Sequence, residues 1–127
     1  MIIVIKNILY LVLGILIGMI VNMGLIITGN YLVPFNESMD PMNATMWEMK
    51  FFIFPFFAHA FGTFIGAYIT SRFVMRYKLI FALCVGVYFL FGGVIMVFIL
   101  PAPIWFILLD IVLAYIPMSF LAWKVVR

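Results

Sequence analysis

Few strongly polar side chains interrupt the apolar runs of this chain: Asn22, His59 and Asp110, with Thr63 one turn after the histidine. Imidazole and carboxylate exchange protons, and ionisable groups at membrane depth face a bundle interior, pair with one another and mark ion or proton pathways. A helix rises about 1.5 Å per residue, so Asn22 lies roughly 9 Å inside the end of its run at Thr28. His59 lies roughly 12 Å beyond Phe51, and Asp110 roughly 9 Å beyond Ile104, which puts all three at one height. His59 is therefore expected to face Asp110 across the bundle, with Asn22 as a further hydrogen-bonding group. Such a cluster serves either as an interhelical clasp, worth about 0.6 kcal/mol for a typical membrane hydrogen bond, or as a protonatable site that couples proton or ion movement to a conformational change. Tyr88 and Tyr115 either extend a polar path from it or simply pack.

The elements that position these groups follow from composition. Of the 127 residues 69% are hydrophobic and 9% charged, and the mean hydropathy is +1.37. A soluble fold of this size leaves too much surface exposed to hide so much apolar area, whereas a bilayer welcomes it. Four runs of about 20 residues, the length that spans a hydrocarbon core as an α-helix, cover residues 8–28, 51–71, 79–100 and 104–123. The expected fold is all-α: one integral membrane domain over residues 1–127, a transmembrane four-helix bundle with a short interfacial helix in the first outer loop. The first run is longer than a signal-peptide core and no small-x-small cleavage site follows it, so it reads as a retained helix.

Lys6, Arg72, Arg76, Lys78, Lys124 and Arg127 fall on one side of the spans, and Lys50 alone on the other. This bias places both chain ends in the cytoplasm and the loop from Asn30 to Lys50 outside. The net charge of +3 is thus a topology signal; there is no basic stripe for nucleic acid. In the outer loop Asp40 and Pro41 have the form of a helix start. Met39, Met42, Met46 and Met49, with Trp47, recur at helical spacing as an interfacial stripe. Thioethers suit Cu(I), but no thiolate joins the set, and no metal or cofactor is expected. Asn36-Glu37-Ser38 and Asn43-Ala44-Thr45 match glycosylation sequons, relevant only in a eukaryotic source. Cys84 has no disulfide partner and reads as a small buried hydrophobe.

Packing is expected along small residues, which let backbones approach where lipid competes equally for apolar side chains. Ala58, Gly62 and Gly66 recur every fourth residue on the second span, Gly14 and Gly18 on the first, Ala82 and Gly86 on the third. His59 and Thr63 flank the second ridge and are carried into a helix contact. Pro117 is expected to kink the fourth span near residue 113, while Pro55, in a first turn, is tolerated.

The stretch His59-Ala60-Phe61-Gly62-Thr63, with Met39-Asp40 in the preceding loop, resembles a family of small bacterial four-helix membrane proteins over residues 34–67. The resemblance implies four spans in a bacterial inner membrane and attaches no activity to them. Small multidrug exporters share the size, but their embedded glutamate in the first helix has no counterpart here. The expected function is that of a non-catalytic accessory subunit. It would sit in lipid and dock through its ridges onto other membrane subunits, or onto itself as a homo-oligomer. The alternative is a small proton- or ion-linked transporter or channel using the buried cluster. No nucleophile motif, metal-ligand set or phosphate loop supports an enzyme.

Overall fold

Inside a bilayer no water satisfies a backbone amide, so each apolar run must close its hydrogen bonds within itself. The computed structural model describes all 127 residues, and its apolar runs are helical as that constraint demands. Helix α1 spans Ile2–Leu32, α2 Ile53–Phe73, α3 Lys78–Ile99, α4 Ile104–Leu113 and α5 Ile116–Val126. Four helical segments are long and apolar enough to cross a membrane: α1, Met49–Phe73, α3 and the α4–α5 segment Ile104–Val126. The chain forms an all-helical four-helix bundle with its long loop, residues 33–52, at one end and both chain ends at the other.

Helix α2 is the centre of the bundle and touches α1, α3, α4 and α5. Its fit against α1 is a backbone-to-backbone contact. A Cβ on Gly18 would lie 2.6 Å from the Gly62 carbonyl oxygen, one on Gly62 2.9 Å from the Gly18 carbonyl, and one on Gly66 2.8 Å from the Gly14 carbonyl. The Thr70 hydroxyl donates across the same seam to the Tyr10 carbonyl at 3.3 Å. The small ridge of α2 is therefore covered by α1 of the same chain. On the other side Ala82 and Val85 of α3 are fully buried, and a Cβ on Gly86 would meet Ser119 Cβ of α5 at 2.9 Å. At the terminal end Asn7 Oδ1 accepts from the Met75 N–H at 3.0 Å, tying α1 to the α2–α3 turn.

Three expectations change. The loop does not start an α-helix at Pro41; it forms two short 3-10 turns, Ala44–Met46 and Met49–Phe52. Asp40 caps a turn instead, its carboxylate accepting from the Met42 N–H at 2.9 Å, and Met42, Met46 and Met49 are exposed. Asparagine and aspartate side chains compete with helical bonding in this way: Asn43 likewise accepts from Thr45. The fourth span is broken rather than kinked, with Ala114 and Tyr115 between α4 and α5 and Pro117 in the first turn of α5. Cys84 is exposed rather than buried.

The glycine seam makes a direct prediction. Gly66→Val must push the Gly14 backbone away and is expected to cost about 1–3 kcal/mol, the usual range for overpacking. A Cβ at Gly92 meets nothing within 4 Å, so Gly92→Ala is expected to leave stability within about 0.5 kcal/mol, as surface substitutions do. Unfolding in detergent, followed by circular dichroism, checks the contrast.

Candidate functional site

Successive residues on a helix are turned by about 100°, so if Ala58 and Gly62 face α1, His59 looks past them toward α4. There its Nδ1 lies 2.8 Å from Asp110 Oδ1 and 3.0 Å from Oδ2. The sequence places this pair together and the structure does so. The histidine side chain keeps 20% of its surface open and the aspartate 8%. Thr63 is fully buried and spends its hydroxyl on the His59 carbonyl at 2.8 Å, within its own helix.

A third group completes the contact. The Tyr115 hydroxyl donates to Asp110 Oδ2 at 2.8 Å, and its ring stacks on the His59 ring with centroids 5.8 Å apart. In an unbroken helix residues five apart point about 140° away from each other. The break before Pro117 is what turns Tyr115 back to Asp110. Gly93 of α3 supplies the space: a Cβ there would sit 2.6 Å from Tyr115 Cζ. Tyr88 plays no part in this path; it is half exposed, with its hydroxyl near Met19 Sδ at 3.5 Å.

Asn22 departs from its expected role. It sits on the glycine seam, 2.9 Å from the Cβ position of Gly62, and its buried Oδ1 finds no hydrogen-bond partner. Its place is the α1–α2 seam rather than the His59–Asp110 contact.

Above the pair, toward the long loop, lies a cavity of about 340 Å³ lined mostly by apolar residues. Its aromatic walls are Phe35, Trp47, Phe52 and Phe106, and its only titratable lining groups are His59 and Asp110. The loop is held over it by ring contacts: Phe35 to Trp47 at 4.8 Å, Trp47 to Phe52 at 5.5 Å and Phe52 to Phe106 at 4.6 Å. The Trp47 indole N–H donates to the Asp40 carbonyl at 3.2 Å. Sequence reasoning missed the cavity, Gly93 and the aromatic lining. The available signal was the recurrence of aromatics at both loop ends and at the start of the fourth span. No group of three His, Cys, Asp or Glu gathers anywhere to hold a metal ion.

Chemically, the site offers a carboxylate fixed by two donors and an imidazole whose Nε2 makes no hydrogen bond. An ionised carboxylate only accepts, so beside one Nδ1 carries the hydrogen, and on a neutral ring Nε2 is left to accept a proton or a ligand hydrogen from the cavity.

Removing the Tyr115 hydroxyl by Tyr115→Phe is expected to cost about 1 kcal/mol, the usual net worth of a hydrogen bond. A double-mutant cycle of His59→Ala with Asp110→Asn, read from reversible unfolding, is expected to give a coupling of about 0.6–1.7 kcal/mol. No family model, no curated protein and no solved structure matches the chain.

Proposed function

We propose that this chain is a small transporter of a bacterial inner membrane, admitting a small molecule from the outer side into its cavity and coupling it to proton exchange at His59 and Asp110. The observation that carries this reading is that the cavity's only titratable groups are the two that touch each other. Orientation follows the cationic bias: Lys6, Arg72, Arg76, Lys78, Lys124 and Arg127 mark the cytoplasmic end, and the cavity lies toward the other, beneath the long loop. Lys50, the single lysine at the long-loop end, sits 3.6 Å from Glu48 and is balanced there. The two-piece fourth span gives the site a joint, since Asp110 belongs to α4 and Tyr115 to the break. We read the α1–α2 seam as GxxxG-type packing inside one chain, which leaves that ridge unavailable for docking a partner.

A second reading, the accessory subunit, draws on α1. Its only buried residues are Asn7, Gly14, Gly18 and Gly29. The rest of its surface suits lipid, the helices of another subunit or a second copy of the chain.

Reconstitution into liposomes decides between them. Under the transporter reading a pH step drives a proton flux when cargo is present. His59→Ala and Asp110→Asn each lower that flux at least tenfold while the protein still folds and inserts. A chain that moves no protons and co-purifies stoichiometrically with a larger membrane protein in mild detergent belongs to the accessory reading.

A further inference from the structure

We infer that the cargo is a small monovalent organic cation with an apolar or aromatic body, and that it takes the place of one proton at the His59–Asp110 pair. The inference rests on the reading of the cavity as the binding site, and it follows from the charge the cavity holds.

The Tyr115 hydroxyl donates to Asp110 and His59 Nδ1 lies 2.8 Å from its other oxygen, contacts that suit an ionised carboxylate, which accepts and does not donate, beside a histidine carrying its hydrogen on Nδ1. With His59 neutral the cavity then carries one negative charge, and no lysine or arginine lines it. The lining residues of α1 and α3, among them Ile26, Asn30 and Gly93, bring no titratable group either. A charge held among apolar walls is costly unless it is paired. Two arrangements satisfy that requirement. Either His59 holds a proton and the pair is neutral by itself, or a cation from outside settles beside the carboxylate while His59 is neutral. Going from one to the other releases one proton as one monovalent cation binds, so charge balances without any further reactant.

The walls decide the kind of cation. A hard metal ion takes about six or more oxygen ligands, and the cavity offers only the Asp110 carboxylate and the Asn30 carboxamide as side-chain oxygens. The rings of Phe35, Trp47, Phe52 and Phe106 in the lining instead suit a weakly hydrated organic cation, which aromatic rings attract. A carboxylate has about four lone-pair sites, so two bound donors leave room for a third contact. A volume of about 340 Å³ falls within the range of small-molecule sites, about 300–1,000 Å³. An anion would meet Asp110 with no cation to offset it.

The test uses the full chain in lipid nanodiscs and calorimetry, with empty nanodiscs as the blank. Three probes share a benzyl group: benzyltrimethylammonium, benzyl alcohol and phenylacetate. The cation is expected to bind at least tenfold more tightly than either of the others. Its affinity falls as the pH is lowered, by up to tenfold per pH unit, and titrations in buffers of different ionisation enthalpy show up to one proton released per cation bound. Asp110→Asn removes the preference for the cation. His59→Gln, which keeps the carboxylate, abolishes the proton released per cation bound and the pH dependence that goes with it. Benzyl alcohol or phenylacetate binding as tightly as the cation overturns the cation assignment and leaves the cavity as a binding site. Heat no greater than the blank for all three probes overturns the cavity reading itself.

Discussion

A carboxylate set among helices in lipid has to be satisfied by its own protein, and much of the upper half of this bundle is arranged around that demand. Asp110 takes one donor from α2 and one from the turn that follows its own helix. Each donor needs a structural concession. His59 is carried inward because its helix lies against α1 along small residues, and Tyr115 reaches back because its helix is interrupted and Gly93 yields space. Remove the aspartate and neither concession has a purpose that packing alone would explain.

The glycines show how specificity is obtained without a hydrophobic driving force between helices. Apolar side chains gain nothing by leaving lipid for one another, so association depends on close contact and on hydrogen bonds that only close contact permits. Between α1 and α2 that contact places Thr70 within reach of the Tyr10 carbonyl. It also commits the face of α2 that an oligomeric partner would otherwise use. The helix at the centre of the bundle thus spends one face on its neighbour and turns the adjoining face to Asp110.

Much of this was legible in the sequence, and for identifiable reasons. Uninterrupted apolar runs have one means of closing their hydrogen bonds, so the number of spans could be read directly. The meeting of His59 and Asp110 followed from depth, which helical rise converts from residue numbers. Asn22 shows the limit of that argument: depth fixes height, but which neighbour a residue meets depends on how the helix is rotated, and α1 turns Asn22 toward Gly62. Methionine spacing in the loop points to a helix, yet Asp40 and Asn43 bond nearby backbone and Phe35 and Trp47 line the cavity. Those aromatic contacts are long-range and non-periodic, so no local pattern announces them. Tyr115 stands out in the sequence by its polarity, but its contact with Asp110 depends on a break whose geometry Pro117 suggests and does not define.

Pro117 also has an electrical effect. It has no N–H for the Leu113 carbonyl, and across the gap the Tyr115 N–H does not bond the Ile111 carbonyl, nor the Met118 N–H that of Ala114. Helix α4 therefore ends one turn after Asp110, and the open carbonyl end of a helix carries a partial negative charge of about half a unit. That fraction adds to the carboxylate. A residue that serves mechanically to bend the chain thereby deepens the well for positive charge at the mouth of the last span.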